Sequence, residues 1–218
     1  MASLATLVLD LDGTIVDSLP DLTAALNRLM AARGLASFPA PSVAAMVGDG
    51  TTKLVERAFA ARSGEARKDD IEAFVADYTA HATEATRTFP GVEETLGRLK
   101  ASGWQFALCT NKTIAATHAV LGALGLAHWF AALGCGDTFP VRKPNPAHLL
   151  GTLDAAGGDP RRAVMAGDHA NDIAVAKGAS VPSIFAAWGY GARSMAEGAS
   201  AVAERFTDLR TLGPKLLS

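Results

Sequence analysis

From Leu4 to Leu9 the chain is apolar and β-rich, with Thr6 as the only polar position, and the run stops at Asp10. A short run without polar alternation predicts a strand buried on both faces, as at the centre of a parallel sheet. Segments 104–109, 131–135, 163–166 and 181–186 have the same character. Between them, 92–102, 113–124, 146–156 and 170–179 carry helical spacing, and several of these close at a glycine suited to a C-terminal cap. Strands that alternate with helices in this way predict an α/β fold, a doubly wound parallel sheet.

Residues 17–88 break that rhythm. Leu22, Ala25, Leu26, Leu29 and Met30 recur at helical spacing, and no strand pattern interrupts them. An all-helical insertion after the first strand is therefore expected, and the Phe89-Pro90-Gly91 turn returns the chain to the core. The division is a core of 1–16 and 89–218 around an inserted helical unit of 17–88. The Ala-rich tail beyond Tyr190 reads as cover for the sheet edge, without catalytic groups. No internal repeat is found.

Composition narrows the function classes. With 218 residues, 49% hydrophobic and 19% charged, the chain can bury a real core and is not a disordered polar sequence. A formal net charge of -2 provides no basic field for a nucleic-acid backbone, so DNA and RNA partners are not expected. Cys109 and Cys135 stand far apart, which argues against a disulfide framework or a cysteine-rich zinc site. No positive side chain precedes Arg28, and no apolar run approaches the ~20 residues of a membrane span. A cytoplasmic protein is expected.

Candidate chemistry gathers at the predicted strand ends. Asp10-Leu11-Asp12-Gly13-Thr14 follows the first strand, where open α/β sheets place their ligands. Residues i and i+2 of an extended chain share a side, so the two carboxylates can face one site, one attacking and the other protonating a leaving oxygen. A polar turn after a strand accounts for the same residues equally well. Gly167-Asp168-His169-Ala170-Asn171-Asp172 follows a later strand. Asp168 and Asp172 beside Asp10 would crowd like charges, which a cation relieves, and an all-oxygen donor set suits Mg²⁺. The alternative reading makes Asp168 a helix N-cap. Thr110 and Asn111 at a strand end offer donors for phosphate oxygens, and Lys143 offers a point charge; a cap and a solvated lysine are their plainer readings.

The order of these elements resembles the haloacid dehalogenase superfamily, most closely its phosphoglycolate phosphatase-like members, over nearly the whole chain. Asp10 to Thr14 match the first motif, Thr110 the second, Lys143 the third, and Gly167-Asp168 with Asn171-Asp172 the fourth. The resemblance implies a Mg²⁺-dependent phosphatase of a small phosphorylated metabolite, with 2-phosphoglycolate the leading substrate. It implies Asp10 as nucleophile, forming an aspartyl-phosphate, and Asp12 as general acid and base. Mg²⁺ would be held by Asp10, the Asp12 carbonyl and Asp168, with Asp172 in support, while Thr110, Asn111 and Lys143 bind the phosphoryl group. The helical unit then resembles a cap over the site, hinged near Leu19-Pro20, and its Val47-Gly48-Asp49-Gly50 turn with Lys53 is the part expected to reach substrate. A helix-to-helix turn is the plainer reading of that segment.

Three alternatives stay open: a phosphosugar phosphatase, a β-phosphoglucomutase-like phosphomutase, and a catalytically silent binding protein of the same fold. Asp12 argues against a dehalogenase, which does not use the second acid. Dinucleotide, P-loop and G-x-S-x-G signatures are missing from the sequence. Oligomeric expectations are a monomer or a homodimer. The five histidines show no metal spacing, and His169 is expected to shape its loop.

Overall fold

A computed structural model describes residues 4–218. Six parallel strands form one sheet: β1 (Ala5–Leu9), β4 (Trp104–Cys109), β5 (Phe130–Gly134), β6 (Ala163–Gly167), β7 (Ser183–Ala186) and β8 (Ala201–Ala203), in the order β5-β4-β1-β6-β7-β8. A second, two-stranded antiparallel ribbon pairs β2 (Val16–Asp17) with β3 (Arg87–Thr88). All five residues of β1 are buried, as their unbroken apolar run requires of a strand flanked on both sides.

Alternate side chains divide the core between the two faces of the sheet. Leu7, Leu9, Phe106, Leu108, Val164 and Ile184 pack in one cluster with Leu96 and Leu99 of α5 (Val92–Ala101), Val120 and Leu121 of α6 (Ile114–Ala123), and Leu209 of α9 (Leu209–Leu216). Val8, Ala107, Cys109 and Met165 pack on the other face with Leu149 and Leu153 of α7 (Pro146–Ala155) and Val175 and Ala176 of α8 (Ala170–Gly178). The chain runs from β1 outward through β4 to β5, then crosses back by α7 to β6 on the other side of β1. That reversal opens a crevice at the carboxyl ends of β1, β4 and β6.

Between β2 and β3 lie four helices: α1 (Leu19–Ala32), α2 (Ala40–Ala44), α3 (Thr51–Ala60) and α4 (Lys68–His81). The interior of 17–88 is helical, whereas Asp17, Arg87 and Thr88 belong to the ribbon of β2 and β3. Two-residue strands are too short to produce a readable period. Strand and helix ends differ from expectation by one or two residues: β5 begins at Phe130 and ends at Gly134, and β7 begins only at Ser183. The tail does cover the edge that β7 would otherwise expose, and it does so as a strand, β8, paired in parallel with β7. Ala-Val-Ala is too short and too weakly patterned to announce a strand in sequence.

Candidate active site

Strand register assembles the site. Leu9 pairs with both Leu108 and Ala166, so Asp10, Thr110 and Asp168 emerge together at one end of the sheet. The Asp10 N–H continues the ladder to the Ala166 carbonyl at 3.0 Å, which fixes the first acid before the chain turns away. Gly13 makes that turn at φ +78°, and a Cβ there would lie 2.3 Å from Oδ2 of Asp168. Only glycine permits the two acidic loops to approach so closely.

Asp10, Asp168 and Asp172 each offer a carboxylate oxygen within 4.8 Å of the others. Lys143 lies behind them, its Nζ 2.9 Å from Oδ1 of Asp10 and 2.6 Å from Oδ1 of Asp172. Burial pushes the Asp10 carboxyl up to about 6, although Lys143 pulls it down and Asp172 pushes it further up. Burial also lifts Asp168, to about 8, with repulsion from Asp10 and Asp172 adding to the effect. Burial works against the Lys143 ammonium, but the attraction of Asp10 and Asp172 outweighs it and raises that group. With all three acids ionised, one ammonium leaves two negative charges uncompensated, which is the state a divalent cation would balance.

The donor set fits such an ion. All the available atoms are oxygens, as a hard cation requires. Oδ1 of Asp10 accepts from the Leu11 N–H at 2.7 Å and pairs with Lys143, whereas no donor among the described residues reaches its Oδ2. Asp168 accepts from the Thr14 hydroxyl at 3.0 Å and the Tyr190 N–H at 2.8 Å, which orient it without using all its lone pairs. Asp172 is more fully engaged: Lys143 holds one oxygen, and the His169 N–H donates to the other at 2.9 Å. Asp168 is not the N-cap of α8. His169 takes that position and Asp172 closes the capping box, so the Asp168 side chain remains turned to the site.

A cavity of about 250 Å³ lies over these groups, with Asp10, Asp12, Thr110 and Asp168 on its core side and Leu22, Val47, Leu54 and Phe74 among its apolar walls. Gly48 lines it, at φ +122°, where a Cβ would meet the His169 ring at 2.4 Å. His169 does shape the site, as a wall and a cap. Lys53 is not brought to the cavity. It sits on the exposed side of α3 and pairs with Glu56 at 2.6 Å. Asn111 lies at the site, but its amide donates to the carbonyls of Gly48 at 3.0 Å and Lys143 at 3.1 Å, so both N–H groups serve the loops around the cavity. Asn171 donates to Asp49 at 2.6 Å, and Arg57 grips the same carboxylate from α3. Together these contacts seat the 47–50 turn on the core.

Sequence reasoning passed over Lys112, Tyr78 and Tyr190. Lys112 is buried, with its Nζ 2.9 and 3.0 Å from the two Asp12 oxygens and 2.7 Å from the Tyr78 hydroxyl. Burial disfavours its ammonium, but Asp12 and Tyr78 more than offset this and raise the group. Its place directly after Thr110-Asn111 at a strand end was a readable signal. Tyr78 and Tyr190 carried none, because helix α4 and the tail reach the site only through the tertiary fold. The Tyr190 hydroxyl accepts from the Ser18 and Leu19 N–H groups at 2.7 and 3.0 Å and donates to Asp17 at 2.9 Å. Gly191, Ala192 and Met195 also line the cavity, so the tail contributes walls as well as a strand.

Comparison with known proteins places the chain among similar hydrolases. A family model described as haloacid dehalogenase-like hydrolase matches residues 4–180. A phosphoglycolate phosphatase of Agrobacterium fabrum is 44% identical over 187 residues, covering 84% of this chain and 80% of that one. Another, of Rhodospirillum rubrum, is 40% identical over 212 residues, covering 93% and 88%. The crystal structure of a predicted phosphoglycolate phosphatase from Haemophilus somnus superposes with a TM-score of 0.86 at 28% identity, covering 97% of this chain and 99% of that chain.

Proposed function

The chain belongs to the haloacid dehalogenase-like hydrolases and is a phosphoric monoester hydrolase, and from that premise we propose that it cleaves a small phosphomonoester, with 2-phosphoglycolate as the leading substrate, through an aspartyl-phosphate on Asp10. The observation that carries this reading is the free Oδ2 of Asp10, beside Asp168 and in front of Lys143, on the core side of a small cavity. A carboxylate oxygen without a donor is a nucleophile with nothing to shed before it attacks. The substrate assignment draws on the names of the relatives, and the cavity's size favours a small ester.

Lys143 keeps Asp10 ionised and aimed, since its ammonium is anchored between Asp10 and Asp172. Thr110, buried at the end of β4, has a hydroxyl proton to donate to a phosphoryl oxygen. Asp12 lines the same side of the cavity, where it gives a proton to the leaving oxygen and afterwards takes one from the water that hydrolyses the acyl phosphate. Asp10, Asp168 and the Asp12 backbone carbonyl would hold Mg²⁺, with Asp172 supporting from behind. When bound, Mg²⁺ supplies charge neutralisation for the phosphoryl oxygens. Residues 17–88 act as a cap that excludes bulk water, a role supported by the seating of the 47–50 turn on Asn111 and Asn171.

Hydrolysis of p-nitrophenyl phosphate with Mg²⁺, repeated with EDTA and with Asp10→Asn, tests the chemistry. Turnover that needs both the metal and Asp10 is expected, with a loss of at least ~10³-fold in the variant. Turnover that survives Asp10→Asn rejects the mechanism. A panel of small phosphomonoesters tests the substrate: phosphoglycolate ranking far below sugar phosphates in kcat/KM overturns that assignment.

A further inference from the structure

We infer that Lys112 is a positioning residue for proton transfer by Asp12, and that Tyr78 of α4 makes this positioning depend on the helical segment being docked on the core. The inference rests on the phosphatase reading and extends it to a residue at the cavity wall whose ammonium donors are all taken by protein groups. Lys112 is buried, its side chain only 4% exposed, and an ammonium has three N–H donors. Two point to the Asp12 oxygens, at 2.9 and 3.0 Å, and the third to the Tyr78 hydroxyl, at 2.7 Å. None is left for a substrate anion. The Ser18 hydroxyl donates to Oδ1 of Asp12 at 2.6 Å, so the carboxylate plane is pinned from two sides.

The anchor is rigid on the core side and conditional on the other. Lys112 lies three residues beyond the end of β4; its N–H donates to the Thr110 hydroxyl at 3.3 Å, and its carbonyl accepts from the Gly136 N–H at 2.8 Å. Tyr78, by contrast, comes from the helical segment, with its ring stacked on Phe74 and its face 4.3 Å from the Lys112 Nζ. Displacing α4 removes one of the three partners that set the ammonium's position, and with it the orientation of Asp12.

In the step concerned, an Asp10 oxygen forms a bond to phosphorus and the ester P–O bond breaks. The bonding pair stays on the leaving oxygen, and the Asp12 proton moves to it, leaving Asp12 as the carboxylate that faces Lys112. An alkoxide needs that proton, whereas acetate leaves from acetyl phosphate without one. The test is kcat/KM, which reports this first transfer, for ethyl phosphate and acetyl phosphate in the wild type, Lys112→Met and Tyr78→Phe. The ethyl-to-acetyl ratio is expected to fall at least about tenfold in Lys112→Met and at least about threefold in Tyr78→Phe. Equal losses on both substrates, or no loss, overturn the inference, because a lysine acting through general charge or packing does not distinguish leaving groups. Should Lys112→Met fail to fold, Tyr78→Phe, which keeps the ring, decides by the same ratio. A wild type that turns over neither substrate removes the phosphatase reading itself, an outcome distinct from an active enzyme with an unchanged ratio.

Discussion

At His148 the fold holds an imidazole in its neutral form away from the catalytic groups. The ring is buried on α7, with Nε2 3.0 Å from the Cys135 carbonyl and Nδ1 3.6 Å from the Cys109 sulfur. Only a neutral ring can donate to the carbonyl and accept from the thiol. Burial, reinforced by the Lys143 charge, lowers its pKa to about 4, and burial pushes the Cys109 thiol up to about 12. Below the ordinary value of 6.5 the unfolded chain takes up a proton that the folded chain refuses. This contribution is therefore complete above 6.5 and is lost as pH falls toward 4, by about 3 kcal/mol. Urea denaturation at pH 7.5 and pH 4 checks it: His148→Gln should lose less stability between the two pH values than the wild type, and an equal loss contradicts the assignment. His148 was legible as a residue without metal spacing, but its pairing with two cysteines from other elements was not, because neither partner is near it in sequence.

Among the elements, the joint between the helical segment and the core depends on Asp21. This residue is buried in the first turn of α1 and accepts from the Ala85 N–H at 2.9 Å, the Thr86 N–H at 2.8 Å and the Thr86 hydroxyl at 2.6 Å. It thus binds the start of the segment to its end. Asp21→Ala leaves those donors buried without a partner and should cost about 2–4 kcal/mol in chemical denaturation. A loss below about 0.5 kcal/mol would show that water replaces the carboxylate. The helices themselves were readable, since Leu22, Ala25, Leu26, Leu29 and Met30 face one way and all are buried. The ribbon of β2 and β3 was not, because two residues cannot display a period. The Asp21 contact joins positions 64 and 65 residues apart.

Across the whole molecule, the uncompensated charge at the sheet edge links metal binding to stability. A divalent ion that binds only the folded cluster raises its stability by mass action, roughly 2.7 kcal/mol at about 100 times Kd. For a chain of this size that corresponds to a rise in Tm on the order of 5–10 °C with Mg²⁺. Asp168→Asn should abolish the shift in differential scanning calorimetry, and a shift that persists in this variant would place the ion elsewhere. Among the described residues no helix is long and apolar enough to cross a membrane. The amino-acid order alone determined the alternation of strands and helices, the break in that pattern at residues 17–88, and the acids and threonine just past strand ends, because burial and backbone period are written locally. Tertiary structure decided which groups share an atom's reach: Lys112 with Asp12 and Tyr78, Tyr190 with Asp168 and the start of α1, and Asn111 with the 47–50 turn instead of an open face. Such contacts join elements far apart along the chain, and their geometry follows from packing and register, which no local pattern encodes.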